Sequence, residues 1–567
     1  MWFELENASF FVIIKLESVK KLFIIIIILS FNFTSFGQKK EKEIDEIFKE
    51  WNHKDHPGGV VSILKKGKTL FSKAYGLADI KHAAPHKLES VFNIASVSKQ
   101  FTAMGIILLH IDGQLSIDDD IRKFLPELHE FETPISLRHL LHHTSGLRST
   151  PELFGLAGWR DGDPITTEDD WRYLLKQTNL NFKPNSQFMY SNSGYILLAK
   201  IIERVSGKHF HAWMKEEIFI PLELNQTFVD ETNSNAGQNV ATPYLEMGEG
   251  QFAVGENTSL DIGASNIYTT ASDLSKWMEN FRDPADGWKD AFEMLLTMDV
   301  LDDGQSNNYG FGVVVDDFFG NNRIQHTGGV PGFLSFAMYY PDDELTIVLL
   351  TNFVSFSVND KLSKLTQLYL KNKTRKSSKK ESVKTIAFDV EEAQKWIGDY
   401  WNINENYPRN IYLDQDTLWY LRDNGMKSPL FRIGLDEYLM GGIAAVVKVK
   451  FANNGKNDMQ VFDRDRPVQS FIAFDNVPVT IEEQKEYAGN YYSPELETNY
   501  IISFQNSELV GYHIRHGEFP IAILKKDVTD WSGFAIVTYE RDEQDEIIGF
   551  YASINRVKKV WFAKRKD

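Results

Sequence analysis

Ser96-Val97-Ser98-Lys99 sets a serine and a lysine three positions apart, inside Phe92-Asn93-Ile94-Ala95-Ser96-Val97-Ser98-Lys99-Gln100-Phe101-Thr102. On a helix those two side chains share one face. A serine hydroxyl is a poor nucleophile until a base takes its proton. A lysine amine one turn away can take it if its surroundings keep it neutral. The residues that follow predict the helix that positions both: Phe101, Met104, Gly105, Leu108 and Ile111 recur at helical spacing and Gly113 ends the run. Ser96 therefore falls near a helix start, where free N–H groups favour developing negative charge. Alone, Ser-x-x-Lys is a common tetrapeptide and a solvated helix start accounts for most isolated instances.

Two further segments change that balance. Tyr190-Ser191-Asn192 follows the turn-rich Lys183-Pro184-Asn185-Ser186 and precedes an apolar helical run, 196–205, that closes at Gly207. His326-Thr327-Gly328-Gly329 stands in a strand-like stretch that continues Val330-Pro331-Gly332-Phe333. Their order and spacing match the Ser-x-x-Lys, Tyr-x-Asn and Lys-Thr-Gly set of the penicillin-recognising enzymes. From about Gly58 to Phe353 the chain resembles the serine β-lactamase-related family of class C β-lactamases, D-amino-acid peptidases and related esterases. Ile135-Ser136-Leu137-Arg138-His139-Leu140-Leu141-His142-His143-Thr144-Ser145-Gly146-Leu147 and Gly263-Ala264-Ser265-Asn266-Ile267-Tyr268-Thr269-Thr270-Ala271-Ser272-Asp273-Leu274 are similar to flanking segments of that family.

The resemblance implies roles. Ser96 would attack a carbonyl to give an acyl-enzyme that water cleaves. Lys99 and Tyr190 would share the proton transfer, and Asn192 would hydrogen-bond Lys99 or the substrate amide. His326 stands where classical members carry lysine. A histidine is mostly neutral near pH 7, so a free terminal carboxylate loses a natural anchor. The resembled D-aminopeptidases and several esterases carry histidine there. Thr327, Gly328 and Gly329 would line the substrate strand, with the Gly329 and Ser96 N–H groups as oxyanion donors. His139, His142 and His143 tempt a metal reading, but only His139 and His143 have helical i, i+4 spacing, and the cluster lies in a segment of the resemblance; structure is the better reading, and no metal or cofactor is implied. Asp118-Asp119-Asp120 reads as a solvated turn.

Composition bounds the rest. The chain has 567 residues, too many for one ordinary core. A formal charge of −18 argues against nucleic acid and anionic membrane surfaces as partners. There is no cysteine, which excludes disulfides, thiol catalysis and cysteine–zinc sites. Lys15, Lys20 and Lys21 precede the apolar residues 22–29, and Ser35-Phe36-Gly37 offers small residues before Gln38. That pattern predicts a secretory signal over 1–37, with an uncleaved anchor as the competing reading.

Residues 60–64 and 69–74 flank Lys66-Gly67-Lys68 as a β-hairpin, a largely helical middle follows, and strands return between 310 and 351. One antiparallel sheet made by both ends, with helices inserted, is expected; the resemblance implies five strands and a site at the boundary of the two parts. A polar basic linker is expected over 371–386. Beyond it the chain repeats. The segment 391–401 matches 482–492, and Gly398 and Gly489, like Phe471 and Phe562, are 91 positions apart. Two small all-β, lipocalin-like barrels, 387–476 and 477–567, fit better than a solenoid.

The fold class expected is therefore α+β: a β-lactamase/transpeptidase-like antiparallel sheet flanked by helices over 38–370, then two barrels, an architecture similar to that of D-aminopeptidases. A chain ending near Thr374 is expected to expose little core. The function expected is an exported, periplasmic or extracellular serine hydrolase acting on small peptides or amides with a D-residue. The alternatives are an esterase, a weak β-lactamase, or a non-catalytic peptide- or glycan-binding protein.

Overall fold

The structure, a computed structural model, describes residues 39–566 except 161, 233–238, 249, 257, 356, 371–384, 403–406, 423–424, 443–446, 454–456, 464–465 and 476. The expected signal and most of the expected linker lie outside the described residues. The chain divides into two compact units. The first holds Met1–Ile117, Leu198–Asp299 and Ser306–Lys373; the second holds Asp118–Leu197, Val300–Gln305 and Thr374–Asp567.

The first unit is built on one antiparallel sheet. Its strands are β1 (Gly59–Lys65), β2 (Lys68–Tyr75), β3 (Val314–Phe318), β4 (Asn321–Val330), β5 (Phe333–Tyr340) and β6 (Leu345–Thr351). Their order is β3-β4-β5-β6-β1-β2. The two ends of the segment meet as β1 on β6, from Gly59 opposite Thr351 to Lys65 opposite Leu345. The sheet has six strands, where the resemblance implied five. The outer strand β3 forms because Phe319 and Gly320 adopt φ of 51° and 78°, the tight turn whose twist suits a hairpin.

Every residue of β6 is buried, as in a strand covered on both faces. On one face Val61, Ile63, Phe336, Ile347 and Leu349 pack with Ile44 of the 39–47 helix and with Val358 and Leu365 of the helix Ser357–Gln367. The Ser96 helix is α1 (Lys99–Ile111), preceded by a 3₁₀ turn, Ala95–Ser98. Its burial is wider than the predicted stripe. Ala103, Ile106, Ile107 and Leu109 are buried with Phe101 and Met104, while Ile111 is 51% exposed. A helix apolar around most of its circumference is a core helix rather than a surface one. The later helix Ala271–Glu279 touches both it and the sheet: Trp277 Nε1 donates to Gln100 Oε1 at 2.8 Å, and Ser275 Oγ to Ser62 Oγ at 3.0 Å. Thr270 caps that helix by accepting the Asp273 N–H at 3.2 Å. Asp273 also accepts from Gln226 N at 2.7 Å.

The second unit contains both barrels. Each is closed and eight-stranded, the first from Gly398–Asn402 to Arg466–Phe474, the second from Gly489–Ser493 to Val557–Lys564. The sequence repeat has a physical counterpart. Tyr400 O–H donates to the Trp396 carbonyl at 3.0 Å, and Tyr491 O–H donates to the equivalent Tyr487 carbonyl at 2.8 Å. The second barrel shares its core with two helices of the same unit, α2 (Thr150–Leu156) and α3 (Thr167–Lys176). Leu153, Phe154, Leu156 and Tyr173 form one buried cluster with Tyr500, Trp531, Phe550 and Phe562. The Tyr500 O–H donates to the Leu156 carbonyl at 3.0 Å.

Arg148, 1% exposed, reinforces that junction. It donates to the carbonyls of Lys558 (3.0 Å), Lys559 (3.1 Å) and Asn179 (2.6 Å) and pairs with Glu495 at 3.1 Å.

These contacts overturn the expectation that the chain could end near Thr374 with little exposed core. Removing the barrels uncovers the apolar faces of α2 and α3 and takes from a buried arginine its Glu495 partner and two of its three carbonyls. A chain ending at Thr374 is expected to aggregate or to bind a hydrophobic dye without a cooperative thermal transition. A sharp melt near that of the full chain, followed by circular dichroism, would contradict this.

Candidate active site

The turn before α1 is built to hold a strained residue. Ala95, one position before Ser96, has φ of 48°, a left-handed conformation that costs a non-glycine residue of order 1 kcal/mol or more. Asn93 Oδ1 accepts the Ala95 N–H at 2.8 Å, and the Ile94 carbonyl accepts from Val97 N at 3.1 Å. Lys99 is wholly buried. Its Nζ donates to Ser96 Oγ at 3.2 Å and to the Ala264 carbonyl at 2.9 Å. The 263–274 segment therefore has a concrete task here: it supplies the carbonyl that aims the lysine. Thr102 O–H donates to the Gly263 carbonyl at 2.7 Å, and Ser98 Oγ accepts the Ile267 N–H at 3.2 Å, fixing that segment against α1.

Strand β4 comes to the same turn. Its pairing with β3 stops at Gln325, while its pairing with β5 continues to Val330. Beyond Gln325 the edge away from β5 is not paired with β3. There the turn approaches so closely that a side-chain carbon on Gly328 would collide with the Ile94 carbonyl and the Ser335 hydroxyl. Ser335 O–H itself donates to that carbonyl at 2.6 Å. Thr327 and Gly329 are exposed on this stretch.

His326 is buried, 4% exposed. Its Nδ1 lies 2.7 Å from the Thr327 carbonyl, which can only accept, so Nδ1 carries a proton. Its Nε2 lies 2.9 Å from the Tyr309 hydroxyl, which donates to it when the ring is neutral. Burial, and then the nearby Lys99 charge, push its pKa down to about 3. The ring is therefore a neutral polar post at neutral pH. Tyr309 has no spacing relation to any motif, and nothing in the sequence singles it out.

Tyr190 and Asn192 belong to the second unit, whereas Ser96, Lys99, His326, Thr327, Gly328 and Gly329 belong to the first. Tyr190 lies two residues before Asn192, the first residue of a helix, Asn192–Ser206. His143 Nδ1 accepts the Ser191 N–H at 3.1 Å, and the His143 and Tyr190 rings lie 4.1 Å apart. His143 holds φ of 59°, and its carbonyl accepts from Met189 N at 3.0 Å. His139 closes a capping box with Ser136 on the helix Leu137–Leu141. These two histidines thus do structural work. Asp118 pairs with Arg138 at 2.7 Å, Asp119 with Lys123 at 2.8 Å, and Asp120 caps a 3₁₀ turn. Arg556, from the turn between the last two strands of the second barrel, sets its guanidinium 5.5 Å from the Tyr190 ring centre.

Comparison with known proteins agrees with this fold. Residues 44–369 match the Beta-lactamase family, more than half of the chain. The chain belongs to the beta-lactamase family of hydrolases. It is 32% identical over 334 residues to penicillin-binding protein 4* of Bacillus subtilis (strain 168), covering 56% of this chain and 72% of that protein. It is 25% identical over 477 residues to a D-aminopeptidase of Cereibacter sphaeroides (strain KD131 / KCTC 12085), covering 82% of this chain and 85% of that one. With a D-aminopeptidase of Gluconobacter oxydans (strain 621H), at 27% identity, the match spans 56% of the relative's length. Among solved structures, the octameric penicillin-binding protein homologue from Pyrococcus abyssi aligns with a TM-score of 0.52 at 24% identity, over 77% of this chain and 99% of that one. That likeness concerns the fold.

The neutral histidines predict a pH dependence of stability. His326 (pKa about 3), His86 (about 4) and His513 (about 4) are all depressed, with burial the largest cause. In the unfolded chain each returns to its ordinary value of about 6.5. At pH 5 the unfolded chain therefore binds protons that the native chain does not, and stability falls as pH drops from about 6.5 toward 4. Urea unfolding midpoints should be clearly lower at pH 5 than at pH 7. Equal midpoints would mean that these rings are not held neutral.

Proposed function

We propose that the chain is an exported serine hydrolase that acylates Ser96 and acts on small peptides or amides carrying a D-residue. The observation that carries this reading is the wholly buried Lys99, whose Nζ is 3.2 Å from Ser96 Oγ. Ser96 Oγ attacks the substrate carbonyl and its proton passes to Lys99 and Tyr190 acting as one unit. The N–H groups of Ser96 and Gly329 receive the oxyanion. Collapse of the tetrahedral intermediate breaks the bond to the leaving amine, which takes up the proton. Water then attacks the acyl carbon and gives its proton to the same base, and Ser96 Oγ is released protonated. Asn192 holds Lys99 or the substrate amide, and Thr327 and Gly328 lie along the substrate.

The neutral His326 supports amides or esters over acids. A positive charge is what anchors a terminal carboxylate, and this ring carries none at neutral pH. The names of the D-aminopeptidase relatives support a D-residue next to the scissile bond. No helix among the described residues is long and apolar enough to cross a membrane. Export rests on the 1–37 pattern, and sequencing the N-terminus of secreted protein should find Gln38 first; an intact 22–29 segment would favour the anchor.

Incubation with p-nitrophenyl acetate followed by intact-mass measurement should show a single acetyl adduct on the native protein and none on Ser96→Ala. Adduct formation and turnover by Ser96→Ala at the native rate would overturn the mechanism. With D-alanine amide against D-alanyl-D-alanine, kcat/KM should favour the amide, and His326→Lys should shift the ratio toward the acid. An unchanged ratio would remove His326 from substrate choice.

A further inference from the structure

Four observations meet at the turn between the strands Ile547–Ile554 and Val557–Lys564 of the second barrel. The turn and the start of the strand after it are held by two residues. Arg148 binds the Lys558 and Lys559 carbonyls, Asn181 Nδ2 donates to the Arg556 carbonyl at 2.9 Å, and Asn181 Oδ1 accepts the Lys558 N–H at 2.7 Å. Its side chain is held too, since Arg556 Nε donates to Glu152 Oε1 at 2.6 Å. Glu152 is 10% exposed and Arg556 35% exposed in their side chains, so the pair is only partly screened. The guanidinium so fixed sits 5.5 Å from the centre of the Tyr190 ring.

We propose that Arg556 is a positioning residue for the reaction: it holds the Tyr190 ring and keeps a positive charge beside it, so that the phenol oxygen gives up and regains its proton more readily. This rests on the reading that Tyr190 shares the proton of Ser96. A guanidinium near a phenol favours the oxyanion over the neutral form, and a guanidinium over an aromatic face restrains the ring. Within its unit Tyr190 faces His143, with its ring 4.1 Å away, Arg556, and through Arg556 the carboxylate of Glu152. Lys99 joins them in the reading above. Glu152 therefore sets how much of the arginine's charge the phenol experiences. The second barrel contributes to catalysis through Tyr190 by this route, although Arg556 touches no reacting atom.

The test uses the full chain and p-nitrophenyl acetate, with kcat/KM measured between pH 5 and 10. Loss of the neighbouring cation in Arg556→Gln should move the acidic limb of the profile to higher pH by about half a unit or more and slow acylation at pH 7 several-fold. Arg556→Lys, which keeps the charge but not the planar fork, should restore the limb while leaving part of the rate loss. Glu152→Gln removes the compensating carboxylate and should move the limb the other way. Opposite shifts from the two partners are the signature, since a merely structural pair would lower the rate with the limb unmoved. Unmoved limbs in folded Arg556→Gln and Glu152→Gln, with the Ser96 adduct still formed by the native chain, overturn the inference alone. If Arg556→Gln does not fold, Glu152→Gln and Arg556→Lys decide by the same limb. Absence of any Ser96 adduct in the native chain overturns the functional reading and the inference with it.

Discussion

A single buried guanidinium ties the 118–197 segment to the second barrel. Arg148 spends its donors on three backbone carbonyls and on Glu495, and is 1% exposed. Burying such a charge is costly unless every donor is met, and removing one partner of a buried pair costs about 3–5 kcal/mol because the other charge is stranded. Burial raises the Glu495 carboxyl above its usual range, while Arg148 pulls it back. The arrangement exists only when the 118–197 segment and the last barrel are folded together. It is a condition on topology, joining residues 410 positions apart in the chain. What it fixes is the start of the last strand, and the turn just before it carries Arg556.

The Ser96 side rests on a different constraint, the close approach of two backbones. The left-handed Ala95 is affordable because Asn93 and Ile94 tie the turn down and β4 lies directly against it. Gly328 is glycine for want of room, and Gly329 beside it is exposed. Here the main chain shapes the site, and side chains at β4 serve mostly to keep it in place. His326 illustrates this: both of its ring nitrogens are engaged by neighbours within the first unit, Thr327 and Tyr309.

Much of this was legible in the sequence, for reasons that differ by element. Hairpins and strands showed because turn glycines and apolar runs are local signals, and both sheet ends were placed correctly. The barrels showed because the chain repeats itself, and the paired Tyr400 and Tyr491 bonds are the physical content of that repeat. The stripe on α1 was too narrow, because periodicity reports one face and α1 is covered on several. Arg148, Tyr309 and Arg556 were not legible. The two arginines act across hundreds of residues, and a lone arginine or tyrosine has no spacing that distinguishes it from a solvated one. The error about ending the chain at Thr374 has the same origin: a polar linker marks a break in composition, while the shared core of α2, α3 and the second barrel is visible only in three dimensions.

The neutral His326 sharpens the electrostatic problem of the site. Burial and the Lys99 charge both disfavour its protonation, so positions 99 and 326 compete for positive charge. By reciprocity, a lysine at position 326 would repel a protonated Lys99, a contribution that a neutral ring does not make. A chain that places histidine there gives up that local help along with the carboxylate anchor. If proton transfer through a lysine and a phenol is to remain fast, a cation supplied from elsewhere has to favour the phenol oxyanion. Arg556 is the cation that the second unit fixes beside Tyr190, and it comes from the second barrel. On this argument a neutral histidine on β4 and a cation on an ordered barrel turn are two parts of one electrostatic solution.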